Sequence, residues 1–288
     1  MKNNEACMHE PNSPSDWTDE LEPKLSDISN IGWLLVGARA LLITMIVAFG
    51  VVFLFVARSF ETLFVGQRRP LSGRIVNWVC RIGARAMGLR ISLRGTPMAH
   101  PGAVVANHSS WLDIIVLNAA KRVFFVSKSE VSKWPGIGFL ANITGTVFIR
   151  RDPRDAKIQK AIFQKRLGYG HKLLFFPEGT STDSLRVLPF KSTLFAAFFE
   201  PELKEKTFIQ AVSVNYHAPA NQDKRFYGWW GSMDFGTHMI QTLSAFPQGR
   251  VEVVFHEPRA IRDYCDRKSL SADLEQDVRS AHAFDGKY

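Results

Sequence analysis

Residues 40–57 carry no charged side chain and include Leu41, Leu42, Ile43, Ile46, Val51, Val52, Phe53, Leu54 and Phe55. A run of this length meets the lower limit for a helix that crosses a bilayer. Phe, Val and Leu surround such a helix on all sides, so membrane insertion is expected over its alternative, a buried core helix. Arg39 interrupts the apolar stretch that begins at Trp33 and is expected to snorkel to the interface. Arg58, Arg68, Arg69 and Arg74 follow, and by the positive-inside tendency they put the C-terminal side in the cytoplasm. Full crossing and re-entry both stay open. Residues 72–88 read as a second helix, with Arg74, Arg81 and Arg85 on one face and Ile75, Val79, Ile82 and Ala86 on a neighbouring stripe. Such a helix either lies flat among anionic headgroups or packs on the folded domain with its basic face in solvent.

The charge is uneven along the chain. The net charge is +9, but residues 1–30 hold two basic and seven acidic side chains, a balance of −5, so the remainder carries +14. A cationic protein suits nucleic acid or an anionic membrane. No zinc finger or RNA-binding sheet motif accompanies the charge, so the lipid bilayer is the expected partner and nucleic acid is not. Cys7, Cys80 and Cys265 are far apart, and the eight histidines do not cluster at ligand spacing, so neither a disulfide nor a metal site is expected. No apolar stretch follows the N-terminus promptly enough for a signal peptide.

From residue 91 the pattern changes. Apolar strand candidates fall at 91–93, 103–106, 123–126, 146–149, 172–176, 209–215 and 251–255, with helical segments at 111–119, 154–167 and 269–282. Alternation of this kind predicts an α/β fold, a largely parallel sheet flanked by helices and preceded by N-terminal membrane-associated helices. The expected organisation is a flexible acidic tail over 1–30, anchoring helices over 31–90 and a folded domain over 91–288. The aromatic and glycine-rich stretch 226–235 is either a lipid contact or a packed loop.

Chemistry concentrates in three segments. In Asn107-His-Ser-Ser-Trp-Leu-Asp113 a strand ending at Ala106 delivers His108 to a loop, and Asp113 falls in the first turn of the next helix. There its carboxylate can hold one ring nitrogen of His108 and leave the other as a base near neutral pH. Chance spacing, with Asp113 simply favouring a helix N-terminus, is the alternative. Arg150 and Arg151 end the strand in Gly145-Thr-Val-Phe-Ile-Arg-Arg151, where open α/β sheets bind ligands. Their guanidinium forks suit phosphate or carboxylate, unless they only open a solvated loop. In Phe175-Phe-Pro-Glu-Gly-Thr-Ser-Thr182 a strand runs into a turn that restricts Glu178, with Gly179 and Thr180 beside it and Lys191 further on. An ordinary Pro/Gly turn is the alternative reading.

Together these segments resemble the glycerolipid acyltransferase superfamily, which includes the 1-acylglycerol-3-phosphate acyltransferases. The His-x4-Asp block is similar to its first motif, Gly145–Arg151 to its second and Phe176–Thr180 to its third; the segment Val126–Gly138 is also similar. A fourth motif usually centres on proline, where this chain has Ala211. Residues 27–33, 145–152, 180–191 and 226–230 further resemble the bacterial lyso-ornithine lipid acyltransferases. The resemblance implies transfer of an acyl group from acyl carrier protein or coenzyme A, used as a co-substrate with no resident cofactor, to a lysolipid hydroxyl. It implies His108 as base and Asp113 as its support, with Arg150, Arg151, Glu178, Gly179, Thr180 and Lys191 binding substrate. It places the enzyme in the inner membrane with its catalytic domain facing the cytoplasm, where an acidic acyl carrier protein is drawn to the basic face. Two other readings are a lipid or thioester hydrolase, in which His108 activates water, and a non-catalytic membrane scaffold. Ser109 and Ser110 lack a Gly-x-Ser-x-Gly elbow and read as loop or cap residues rather than nucleophiles.

Overall fold

The computed structural model describes residues 27–150, 156–220 and 222–282. Most of the expected acidic tail, and Arg151, lie outside the described residues. Helix α1 (Asn30–Phe64) opens at Ser29, whose hydroxyl accepts the Gly32 N–H at 3.1 Å. Its 35 residues make a rod about 52 Å long at about 1.5 Å per residue. Gly50, Leu54, Ala57 and Glu61 recur at helical spacing on one buried face. The rest of its surface shows large apolar side chains to the outside, among them Leu41, Phe49, Phe53, Phe60, Leu63 and Phe64.

Helix α2 (Pro70–Met87) runs back along α1. Glu61 of α1 caps its start, accepting the N–H of Leu71 at 2.5 Å and of Ser72 at 2.9 Å. Further along the pair, a Cβ on Gly50 would meet Val79 at 2.5 Å, so only glycine lets the helices approach this closely. The basic face of α2 is split. Arg74, Arg81 and Arg85 are all exposed, but Arg81 Nε also donates to the Ala119 carbonyl at 2.7 Å, at the end of helix α3 (Leu112–Ala120). The helix is therefore packed on the folded domain. Arg39 also departs from expectation. Instead of snorkelling outward, its Nη1 donates to the carbonyls of Leu243 at 2.6 Å and Ala245 at 2.8 Å, at the end of helix α7 (Phe235–Ser244). Those carbonyls are the ones a helix leaves without partners, and a buried guanidinium satisfies two at once.

The strands are β1 (Arg90–Arg94), β2 (Gly102–Ala106), β3 (Phe124–Lys128), β4 (Val147–Ile149), β5 (Leu173–Phe175), β6 (Phe208–His217), β7 (Arg250–Phe255) and β8 (Arg259–Ala260). They form one sheet in the order β1-β7-β6-β2-β5-β3-β4, with β8 on β6. All pairings are parallel except β6 with β7 and β6 with β8. The remaining helices are α4 (Ile137–Thr144), α5 (Ala156–Gly168), α6 (Pro201–Lys204) and α8 (Arg267–Ser280). Central strands of a parallel sheet are covered on both faces and read as unbroken apolar runs. Val104 and Ala106 of β2 enter a layer with Leu112, Val116 and Leu117 of α3, while Ala103 and Val105 enter the opposite layer with Phe195, Phe198, Leu270 and Leu274. Burial of each such large side chain contributes about 1.5–3 kcal/mol. Ala211 sits fully buried in β6 opposite Val105, and its carbonyl accepts the His256 N–H at 3.0 Å.

The Arg39 tether sets the expectation for α1. Arg39→Ala strips two buried carbonyls of a charged donor and is expected to destabilise the fold by about 1.5–3 kcal/mol. The thermal midpoint of the detergent-solubilised protein should fall accordingly, and an unchanged midpoint would show that the tether carries no weight.

Candidate active site

The chemistry gathers at the C-terminal ends of β2 and β5, which pair in register with Val105 opposite Phe175. Beyond β2 the backbone ladder stops, and the side chain of Asn107 continues it. Its amide donates to the Val214 carbonyl at 2.9 Å and accepts the Val214 N–H at 2.7 Å. The chain then turns, placing His108 in the loop and Asp113 in the first turn of α3.

Asp113 is fully buried. Its Oδ2 receives His108 Nδ1 at 2.7 Å and the N–H groups of Ser109 and Ser110 at 2.8 and 3.0 Å, and its Oδ1 receives the Tyr216 hydroxyl at 2.7 Å. Two backbone donors on Oδ2 identify that oxygen as an acceptor, so the proton of the contact with His108 resides on Nδ1. Nε2 is then the nitrogen left with a lone pair. Phe176 stacks on the imidazole with ring centroids 4.0 Å apart and planes 8° apart, which sets the tilt of the ring. The loop is pinned on both sides: the His108 carbonyl accepts the Thr182 N–H at 2.9 Å, and the Ser109 carbonyl accepts the Trp229 N–H at 2.8 Å. Trp111 donates its indole N–H to Nδ1 of His238 at 2.9 Å. Burial lowers His238 to about 4, which keeps it a neutral acceptor.

Glu178 has a different place from the one its motif suggested. It is 1% exposed, and its two oxygens accept the backbone N–H of His108 at 2.6 Å and of Leu188 at 2.7 Å. Burial pushes its carboxyl up to about 8, against the pull of the Leu188 and His108 donors. Glu178 is thus a brace behind the histidine rather than a substrate contact. Gly179 and Thr180, by contrast, line a cavity of about 700 Å³ together with His108. Lys128, Glu130, Trp134, Trp229 and Trp230 are also on its wall. Of the stretch 226–235, Trp229, Trp230 and Gly231 line this cavity, and the Trp229 N–H holds the Ser109 carbonyl. Neither Arg150 nor Lys191 is among the described residues lining the cavity. Arg150 is exposed directly after the wall residue Ile149, and the Lys191 N–H holds the Pro177 carbonyl at 2.9 Å.

Tyr216 carried no signal in the sequence: it is an aromatic near the end of an apolar strand, 103 positions from the carboxylate that it touches. Burial, and then the neighbouring Asp113 charge, raise its phenol well above its ordinary value, so it remains a hydrogen-bond donor. Lys128 and Glu130 lie within a segment whose likeness was visible, but nothing local revealed that they line the same cavity as His108.

Comparison with known proteins adds the following. The family described as Acyltransferase matches residues 90–215. A lyso-ornithine lipid O-acyltransferase of Rhodobacter capsulatus is 56% identical over 223 residues, covering 77% of this chain and 81% of the relative. The lyso-ornithine lipid O-acyltransferase of Brucella abortus is 35% identical over 236 residues, covering 77% and 86%. Among solved structures, the 1-acyl-sn-glycerophosphate acyltransferase of Thermotoga maritima superposes with a TM-score of 0.60 at 19% identity, covering 86% of this chain and 93% of that one, a likeness of fold.

Two substitutions separate bracing from contact. Tyr216→Phe removes one of the donors to Asp113 and is expected to lower acyl transfer about ten-fold, with the pH dependence of the rate displaced and substrate KM little changed. A rate and pH profile identical to wild type would remove Tyr216 from the site. Glu178→Gln sets an amide donor against one of two backbone N–H groups and should cost about 1–3 kcal/mol of stability along with activity. Loss of activity with an unaltered thermal midpoint would instead indicate a direct substrate contact.

Proposed function

We propose that this chain, which belongs to the acyltransferase family, moves a fatty acyl group from an acyl thioester to the free hydroxyl of lyso-ornithine lipid and so makes ornithine lipid. That it is an O-acyltransferase follows from the family and from relatives that span most of its length. The choice of acceptor rests on one observation. Lys128 and Glu130 lie two positions apart on the wall of the cavity that holds His108. An ornithine headgroup presents a carboxylate and an ammonium, and each needs a partner of opposite sign. A glycerophosphate headgroup presents only negative charge, which Glu130 repels. Arg150, next to the wall residue Ile149, is the proposed second partner for the acceptor carboxylate.

In the proposed reaction Nε2 of His108 takes the proton of the acceptor hydroxyl as its oxygen attacks the thioester carbonyl. Asp113 stabilises the imidazolium that results. The N–H groups of His108, Ser109, Ser110 and Gly179 are already donated to Glu178, Asp113 and the Phe176 carbonyl. The oxyanion is therefore assigned to the N–H groups of Thr180 and Ser181, both on the cavity wall. One such donor is worth on the order of 3 kcal/mol of barrier. Collapse breaks the carbon–sulfur bond, and the departing thiolate takes the proton back from Nε2. No resident cofactor enters this scheme, and the donor is acyl carrier protein or coenzyme A carrying the acyl group. Ser109 and Ser110 are fully buried, which disfavours a covalent intermediate on either.

The acceptor and the product both reside in lipid, and the helix pair is the proposed contact with it. Arg39 is tied to the carbonyls of Leu243 and Ala245, while at the far turn Arg68 and Pro70 offer theirs to His171 at 3.1 Å and Arg122 at 3.2 Å. From Arg39 to Glu61 the helix rises about 33 Å, roughly the thickness of a hydrocarbon core. A perpendicular crossing would put those two sets of contacts on opposite sides of the bilayer. We therefore place α1 within one leaflet, alongside the domain, on the cytoplasmic side of the inner membrane.

Purified protein supplied with acyl thioester and each lysolipid in turn tests the acceptor. Lyso-ornithine lipid is expected to be used at least about ten-fold more efficiently than 1-acylglycerol-3-phosphate. Glu130→Gln should lose about ten-fold or more on the ornithine acceptor and gain on the phosphate one, from which it lifts a repulsion. His108→Ala should lower transfer by about 10²–10⁴-fold. Exclusive use of 1-acylglycerol-3-phosphate, or release of free fatty acid without an acceptor, overturns the assignment.

A further inference from the structure

We propose that Arg58, Arg69 and Arg166 form a second anion site, at the turn between α1 and α2, that takes the phosphate of a phospholipid headgroup. The site is separate from the acyl-transfer cavity, whose described lining includes none of the three. The inference rests on the reading that the helix pair lies in a bilayer, and it is independent of which lysolipid is acylated.

The three guanidinium groups come from different elements, and those of Arg69 and Arg166 meet at Gly145. Arg69 forms the start of α2 with its backbone in the left-handed region at φ 52°, a conformation that costs a non-glycine residue on the order of 1–2 kcal/mol. A Cβ on Gly145 would lie 2.5 Å from Arg69 Nη1, so glycine, itself at φ 87°, admits the arginine there. From α5, Arg166 Nη2 donates to the Gly145 carbonyl, and its guanidinium lies 4.6 Å from the centroid of the Phe124 ring. Burial, and then the Arg69 and Arg58 charges, pull Arg166 down to about 10.

Their donors exceed what the protein supplies. Among the described residues, Arg58 Nε and Nη2 and Arg166 Nε are buried without an acceptor. Glu61, the carboxylate that acts on both Arg58 and Arg69, commits its oxygens to Leu71 and Ser72 of α2. Buried guanidinium N–H groups left without an acceptor are costly, and an oxyanion is the partner that offsets the cost with charge-assisted bonds. Space for one adjoins the cluster. A cavity of about 270 Å³ is lined by Arg166, Lys165, Gln67, Tyr169 and Ile162, a wall with several donors and no acidic residue. Gln67 accepts from Arg69 Nη2 at 3.1 Å, which leaves its amide N–H₂ to donate. A lipid source is favoured over free phosphate by the neighbouring surface. Phe60, Leu63 and Phe64, at the same end of α1, are 54%, 79% and 71% exposed and offer a bed for the acyl chains attached to such a phosphate.

The test compares the full chain with Arg58→Gln/Arg69→Gln/Arg166→Gln in binding to vesicles of pure phosphatidylcholine and of phosphatidylcholine with phosphatidylglycerol. A control removes three exposed arginines elsewhere, Arg90, Arg250 and Arg262. Loss of the cluster is expected to weaken binding to the mixed vesicles at least about ten-fold, and the control considerably less. Arg69→Gln alone, which leaves the Arg166 bond to Gly145 intact, should show a partial loss and keeps the test valid if the triple variant misfolds. Equal losses in cluster and control variants would reduce the site to general charge and overturn it. Inorganic phosphate that alone raises the thermal midpoint of wild type, but not of the variant, and displaces it from vesicles would assign the site to free phosphate and overturn the headgroup claim. Wild type that binds neither vesicle overturns the membrane reading, and the site with it.

Discussion

Burial of the Asp113 carboxylate is the constraint around which this structure is arranged. A carboxylate taken out of water without partners costs several kcal/mol or more. Here the cost is met by donors from two places: the imidazole and two amides of the loop after β2, and a phenol from β6. The loop amides can converge only if the chain turns tightly between Ala106 and Leu112. The phenol can arrive only if β6 lies beside β2, as the sheet order requires. Asn107 supports the same arrangement by extending the β2–β6 ladder with its own side chain.

The histidine that depends on this carboxylate is held by a second acid of opposite character. Asp113 acts on the ring; Glu178 acts on the backbone. Because β5 is the other neighbour of β2, the turn after it delivers Glu178 behind the His108 amide, while Gly179 and Thr180 continue onto the cavity wall. One short motif thus divides its labour. The acid holds the His108 backbone in position, and the residues after it border the cavity in which acyl transfer is proposed. Placing such a brace in the interior protects it from solvent, at the expense of a carboxyl raised to about 8.

The helix pair, the proposed contact with lipid, follows a comparable logic. Its inner face carries the few polar groups that the domain can satisfy: Arg39 on the carbonyls at the end of α7, and Glu61 on the start of α2. The outer face of α1 is left largely apolar. A helix hydrophobic nearly all round is stable in water only if something covers it, and in the proposed arrangement the bilayer does so.

Much of this was determined by the sequence alone. Local chemistry announces itself: the uncharged run at 40–57 became α1, and all seven apolar runs became strands within two residues of their expected ends. The six-residue block from His108 to Asp113 formed the expected contact, because a strand, a turn and a helix N-terminus are specified by neighbours in the chain. What the sequence could not reveal was every relation between distant segments. The inward turn of Arg39, the brace formed by Glu178, the phenol of Tyr216, the cavity placement of Lys128 and Glu130, and the antiparallel β7 beside β6 all depend on strand order and helix docking. Short α4, with eight residues, and two-residue β8 lack the length for a periodic signal, and they exist through packing and pairing with remote partners. A side chain's type and local spacing state which bonds it can make. Only the tertiary structure decides which partners are near enough, and dry enough, for those bonds to form.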